Sequence, residues 1–417
     1  MGGLAKRNPP VGNEGAIRFA IAPYIFLEGA NLSRRSLRFG MFMGPFHATN
    51  LDPTYALERD LQLVTLLDRL GFDEAWIGEH HSGGFEIIAA PEVFIAAAAE
   101  RTKHIRLGTG VKSLPYHHPF VVAETMAQLD HMTRGRVMFG AGPGALPSDA
   151  KMFGLKPVDL RPRMDDALEC IVALLRGETV TRKTSWFTLD EARLSVGCYS
   201  KPTMEMAIAS VRSPAGALAA GRYGAGLMVL SGVDDASLKH HTSNWQIYEE
   251  TCRRHGHTAD RSRWQFAIQI HLAETREQAR KEVEYGLEKW IGYTHDIVPA
   301  PNPPPRGLAD PAGWMMENQR AIIGTPDDAV QRIEYMLELT GGFGGILVFA
   351  QDWANWQATQ RNLELIAEEV RPKLNGSNLL RQASYDRNAP IQEANRALAR
   401  AGIEEAQARY EAAKARG

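Results

Sequence analysis

The feature that most constrains this chain is a rhythm in which short apolar runs, about as long as buried strands, alternate with stretches whose apolar residues recur at helical spacing. Residues 37–43 read as a first strand, and Leu57, Leu61, Val64, Leu67 and Leu70 then set an apolar stripe on a helix over 55–70. Gly71 sits where a C′ glycine stops such a helix, and the chain returns as a strand over 72–78. The pattern repeats with a helix over 91–99 opened by Pro91, a strand over 105–111, a helix over 120–131 and a strand over 136–140. A helix over 163–175, a strand over 206–210, a helix over 214–221 and a strand over 226–230 follow. Strands at 264–271 and 345–349 are separated by helices over 276–293 and 325–339, the second capped by Thr325-Pro326-Asp327-Asp328, and 353–370 is the last helix of the series. About eight strands alternating with helices predict a parallel sheet joined by right-handed crossovers, and an α/β (β/α)8 TIM barrel with insertions is its simplest closed form.

The barrel accounts for residues 37–372. Residues 1–36, with Pro9-Pro10 and Arg34-Arg35, are expected to form an N-terminal extension, and 373–417 a C-terminal tail, rich in Ala, Glu and Arg, that reads as a helix on the surface or against a partner subunit, or else as disordered. Residues 293–314 are dense in proline and glycine and are expected to form an irregular lid over the barrel mouth. A net charge of −2 gives no basic stripe for nucleic acid or an anionic membrane. The three cysteines, Cys170, Cys198 and Cys252, suit a reducing compartment and make no disulfide framework. The apolar stretch 16–30 is interrupted by Arg18, Pro23 and Glu28, a poor signal peptide and too short to span a bilayer, so a cytoplasmic protein is expected.

Ligands of parallel α/β folds sit beyond the C-terminal ends of the strands. The second strand ends there in Glu79-His80-His81, three side chains able to bind or move protons. His80 reads either as an acid–base group or as a structural histidine, and Glu79, facing the other way on an extended backbone, as an anchor of the loop. Adjacent histidines diverge on a regular backbone, here as at His117-His118 and His240-His241, and the His-x-His spacing of metal hydrolase barrels does not occur, so no metal is predicted. Gly140-Ala141-Gly142-Pro143-Gly144-Ala145 imitates a dinucleotide fingerprint, but Pro143 removes a donor and three βα units precede it, so it reads as a loop that lets a flat ring approach the backbone, or as an ordinary turn. Ser210-Val211-Arg212-Ser213-Pro214 leads from a strand into a helix, where free N–H groups, Ser213 and Arg212 suit a phosphate, or Ser213 is a plain N-cap. Arg161 and Arg163 are further phosphate candidates. Phe42, Met43, Phe46, Trp76 and Met138 suit the core, with Met43 also a candidate for a cofactor wall.

Several of these pieces together resemble the bacterial luciferase-like flavin-dependent monooxygenases. They are Phe39-Gly40-Met41-Phe42, the run from Gly71 to His81, Ile105-Arg106-Leu107-Gly108-Thr109-Gly110-Val111 with Leu114-Pro115 and His118-Pro119, and Ala123-Glu124, Leu129-Asp130 and Thr133-Arg134-Gly135-Arg136 in that order. The wording of the first half is similar to the limonene-monooxygenase-like branch. The resemblance covers about 37–370 and implies a barrel that takes reduced FMN from a separate NAD(P)H:flavin reductase and uses O2 through a C4a-peroxyflavin to oxygenate a small hydrophobic substrate. It implies a catalytic role for His80 beside Glu79, a cofactor site including Gly110, Val111, Gly142 and Ser213, a cis peptide at Gly110-Val111, and a homodimer or homotetramer. Gly142 stands where luciferase itself has a reactive cysteine and Pro143 where it has an arginine, which shifts the phosphate onto Arg212 or Arg163 and speaks against light emission. Two other readings are an F420-dependent oxidoreductase in the same barrel and a non-catalytic flavin-binding subunit.

Overall fold

The computed structural model describes residues 37–416 apart from 212, 231 and 301, so the expected extension over 1–36 and the candidate Arg212 lie outside the described residues. Eight parallel strands carry the fold: β1 Arg38–Phe46, β2 Glu74–Ile77, β3 Arg106–Thr109, β4 Val137–Gly142, β5 Met206–Ser210, β6 Gly226–Val229, β7 Trp264–Ile268 and β8 Gly345–Gln351. Their order is β3-β2-β1-β8-β7-β6-β5-β4, and pairing of β3 with β4 closes the ring into the expected barrel. The outer helices are α1 Pro53–Leu70, α2 Pro91–Arg101, α3 Pro119–Met132, α4 Pro157–Leu175, α5 Ala215–Tyr223, α6 Asp235–Arg254, α7 Pro326–Thr340 and α8 Trp356–Leu365.

Local chemistry sets these boundaries. Asp52 caps α1 by accepting from the Tyr55 N–H, and Gly71 ends it at φ 75 in the left-handed region. Thr325 and Asp328 form a reciprocal capping box on α7. Along the strands, period-two alternation sends Phe42, Trp76, Met138, Ala207, Met228, Ala267 and Leu347 into the barrel interior, and their neighbours Met41, Met43, Ala75 and Ile77 outward against the helices. The N-terminal mouth is closed by a polar layer: Gln265 donates to buried Glu74 at 2.6 Å, Arg38 lies 3.5 Å from Glu74, and Arg106 donates to Glu205 at 2.6 Å. That layer holds the base of the barrel together and leaves the opposite mouth free for chemistry.

The structure departs from the sequence reading in several places. The seventh strand stops at Ile268, and Ile270–Leu272 leaves the barrel to pair with Ile322–Gly324. The helix expected over 276–293 breaks into Arg276–Val283 and Leu287–Asp296, because the chain at Gly286 runs so close to Asp352 that a Cβ there would lie 1.8 Å from the Asp352 carbonyl oxygen. A hairpin, Val180–Lys183 with Thr188–Ala192, and the whole of α6 were not anticipated. After α8 the chain continues through a π turn to Arg371–Asn375, then forms helices Leu379–Asn388 and Gln392–Lys414, neither of which buries a residue. No helix among the described residues is long and apolar enough to cross a membrane.

Candidate active site

A cavity of about 880 Å³ opens at the C-terminal ends of the strands. Its floor is Phe42, Gly110, Val111 and Phe349, its lid side is Trp290, Tyr293, Val298 and Pro299, and one wall is Glu79, His80 and Glu86. A second wall consists of Ser213, Ala215 and Gly216 with Arg161 and Arg222. The residues 293–314 therefore do reach the mouth, although their two ends are helical, within Leu287–Asp296 and Pro311–Glu317, where an irregular segment throughout was expected.

The Glu79-His80-His81 run divides its labour by direction. Glu79 is buried, and its Oε1 accepts from His81 Nε2 at 2.9 Å and from His117 Nε2, while its Oε2 accepts from the Ser113 N–H at 2.9 Å and lies 3.5 Å from Lys112 Nζ. Burial alone would raise the pKa of this carboxyl, but the His117 and His81 bonds and the Lys112 charge outweigh it and hold it at about 2. Glu79, His81 and His117 bring their ligand atoms within 4.8 Å of one another, so a histidine pair does converge, though His117 comes from a different strand end than the adjacent-residue argument considered. A cation in that cluster would be set against the Lys112 ammonium, which already balances the carboxylate.

His80 points elsewhere. Its Nδ1 lies 3.1 Å from Asp149 Oδ2 and its Nε2 lies 3.5 Å from Glu86 Oε2. Asp149 is delivered by the short helix Pro147–Met152, and it also accepts from Ser82 Oγ at 2.5 Å and the His81 N–H at 3.1 Å. Burial pushes the His80 pKa down, yet Glu86 and Asp149 together raise it above the ordinary histidine value. Between two carboxylates its charged form is favoured, which suits it to giving a proton rather than taking one.

Candidates for the cofactor wall fare differently one from another. Gly110, Val111 and Ser213 line the cavity, and the Gly110-Val111 peptide is cis, as the resemblance implied. Gly142 packs beneath Val111, where a Cβ would lie 2.5 Å from Val111 Cγ2, so Pro143 and Gly144 face the cavity in its place. Met43 is fully buried in the shell between strands and helices, because its side alternates with that of Phe42. Arg163 lies with its guanidinium 5.0 Å from the Trp186 ring centroid, and it is Arg161 that lines the cavity. Among the described residues no side chain caps α5, whose first residues Ala215 and Gly216 line the cavity with their N–H groups free of the helix ladder. The helix end, Ser213, Arg161 and Arg222 line the same cavity and are chemically suited to an anion, with the Asp165 carboxyl beside the two arginines, and Gln351, which also lines it, has its Oε1 buried without a partner.

The sequence pattern of the luciferase-like monooxygenase family matches residues 37–342. The chain belongs to that family. Among its monooxygenase relatives is limonene 1,2-monooxygenase of Rhodococcus erythropolis, 44% identical over 379 residues that cover 90% of this chain and 97% of the relative. The FMN complex of the oxygenating constituent of 3,6-diketocamphane monooxygenase, a type II Baeyer-Villiger enzyme from Pseudomonas putida, shares the fold with a TM-score of 0.69 at 24% identity, covering 81% of this chain and 99% of that one. An F420-dependent secondary alcohol dehydrogenase bound to an F420-acetone adduct also shares the fold, with a TM-score of 0.59 at 21% identity, covering 80% of this chain and 98% of that one.

Sequence reasoning about this luciferase-like monooxygenase passed over Asp149, Glu86 and Tyr293, whose places beside His80 depend on tertiary contact. It also passed over His47, which follows β1. His47 Nδ1 lies 2.9 Å from Asp352 Oδ2 and its Nε2 lies 3.0 Å from Asp60 Oδ2, tying the ends of β1 and β8 to α1. Burial works against its charge, but the two carboxylates raise its pKa to about 9. With a raised folded value, its stabilising contribution is full below the unfolded pKa near 6.5 and fades as pH rises through about 9. His47→Asn is expected to flatten that alkaline loss, and denaturant titrations at pH 6 and pH 10 would show it as a smaller difference between the two conditions than in the parent protein.

Proposed function

We propose that this luciferase-like monooxygenase is the oxygenating component of a two-component system in the cytoplasm, taking reduced FMN from a separate NAD(P)H:flavin reductase and using O2 to oxygenate a small hydrophobic substrate. The observation that carries this is the polarity of one cavity: an anion site at the uncapped start of α5, a flat floor at Gly110 and Val111, and an apolar compartment beside His80 formed by Phe42, Phe46, Trp290 and Phe349. Reduced FMN has a phosphate and a flat ring to match the first two, and the third suits a substrate with little to hydrogen-bond.

When bound, reduced FMN would supply the two electrons with which one atom of O2 is transferred to the substrate and the other leaves as water. The protein's part is to hold the phosphate on Ser213, Arg161, Arg222 and the α5 N–H groups, to seat the ring on Gly110-Val111, and to exclude water with the lid residues Trp290, Tyr293, Val298 and Pro299. His80, whose charged form Asp149 and Glu86 favour, would supply one of the two protons needed for the second oxygen atom to leave as water, and Glu79 fixes the backbone from which His80 projects.

The F420 reading shares the barrel, so the fold does not separate the two. Incubation with limonene as a probe under 18O2, once with reduced FMN and once with reduced F420, discriminates them. Oxygen-18 in the product with reduced FMN alone is the expected result. Hydride transfer from F420 without label incorporation would replace this reading with the dehydrogenase one, and flavin binding without turnover of any apolar probe would favour the non-catalytic subunit.

A further inference from the structure

A hydrogen bond and an ion-pair contact lead from the lid through Glu86 to His80. Tyr293 lies on the helix Leu287–Asp296, and its ring packs against Phe46 and Phe85 with centroids 5.2 and 5.1 Å away. Only 6% of Tyr293 is exposed, so its hydroxyl depends on a protein partner, and it donates to Glu86 Oε1. The other oxygen of that carboxylate lies 3.5 Å from His80 Nε2, while His80 Nδ1 is engaged by Asp149 at 3.1 Å. The same lid segment touches the loop a second time, since a Cβ at Gly83 would lie 2.6 Å from Ile297 Cγ2. Gly44 at the end of β1 leaves room for Glu86, whose Oε2 would be 2.4 Å from a Cβ there.

We propose that Tyr293 is a positioning residue for His80: docking of the lid helix places its hydroxyl on one oxygen of Glu86 and thereby sets how firmly the other oxygen holds the ring nitrogen opposite Asp149. This rests on the reading of His80 as the proton-donating group. A hydrogen bond to Glu86 spreads the carboxylate's negative charge and loosens its pull on His80. With the lid docked, the imidazolium gives up its proton more readily; with the lid lifted, Glu86 draws His80 more strongly and the proton is retained. Proton delivery is thus tied to closure of the cavity, which limits wasteful loss of peroxide from an open site. The groups acting on His80 are Glu86 from the loop after β2, Asp149 from the helix Pro147–Met152, Glu79 from its own strand end, and Tyr293 through Glu86.

Tyr293→Phe keeps the ring contacts and removes only the hydroxyl, and Glu86→Gln is nearly isosteric and removes the charge. The His80 imidazole is followed by NMR of histidine-labelled protein against pH, its resonance identified by its loss in His80→Asn, while limonene oxygenation with reduced FMN is followed over the same pH range. The His80 titration should move to higher pH in Tyr293→Phe and to lower pH in Glu86→Gln. Oxygenation by Tyr293→Phe should fall about tenfold, as expected for detuned acid–base help, with its pH profile displaced in the direction of the NMR titration. Folded variants whose His80 titration matches the parent's overturn the proposal. A titration that moves while the oxygenation profile stays fixed upholds the coupling and refutes the catalytic reading of His80.

Discussion

Replacing His80 with alanine should leave the barrel folded and FMN bound with near-parental affinity, while substrate oxygenation falls by about 10² to 10⁴ and hydrogen peroxide is released in its place. The side chain borders the cavity but contributes nothing to the anion site on α5, so cofactor affinity and turnover should separate cleanly. Its loss also leaves Asp149 and Glu86 without their shared cation. Asp149 keeps Ser82 and the His81 N–H, and Glu86 keeps Tyr293, so the loop retains its anchors. His81→Ala should be much milder, because that ring faces Glu79 and Phe153 and does not line the cavity. The measurements are FMN titration, coupled product formation and peroxide assay on the same preparations; parental coupling in His80→Ala would make that histidine structural.

Glu79→Ala should be the most destabilising single change at this mouth. It strips a fully buried carboxylate from His81, His117 and the Ser113 N–H, and leaves the Lys112 ammonium, 4% exposed, with only Glu92 among the described residues to balance it. Breaking a buried charge network by removing one partner costs about 3 to 5 kcal/mol. Glu79 also sets an acid limb. Its folded pKa, about 2, lies below the ordinary value of 4.5, so its contribution is present above the unfolded pKa and is lost as pH falls from there toward 2. That window corresponds to roughly 3 kcal/mol. Glu79→Gln should lose stability at pH 7 but show a flatter decline between pH 5 and 2; denaturant unfolding across that range would refute the assignment if the parent and Glu79→Gln lost stability in parallel.

What the sequence made legible were features encoded within a few residues. Gly71 announces the end of α1, Thr325 and Asp328 announce the start of α7, and the strand-end position of Glu79 and His80 follows from counting βα units. Parity and phase were harder. Met43 and Phe42 are both large and apolar, and only the register of β1 against β2, with Phe42 opposite Trp76, decides that Phe42 faces inward. Arg161 and Arg163 exchange roles because α4 begins at Pro157, earlier than its apolar stripe suggests, and two residues on a helix differ by about 200° in direction. The missed helix α6 did carry a signal in the Asp234 cap and in Leu238, His241, Trp245, Tyr248 and Cys252 at helical spacing, diluted by the polar residues between them. The contacts that define the state of His80 had no local signature, since Asp149 lies 69 residues away from it and Tyr293 lies 207 residues from Glu86.

The central claim, that the cavity protects oxygen chemistry on a reduced flavin, is tested most directly by stopped-flow mixing of the FMNH2-loaded protein with oxygenated buffer without substrate. The account predicts an oxygenated flavin absorbance that forms quickly, persists well beyond the reaction of free reduced FMN, and decays faster when limonene or another accepted apolar substrate is present. Direct, single-phase return to oxidised FMN at the rate of the free cofactor, with one hydrogen peroxide per flavin, would contradict it.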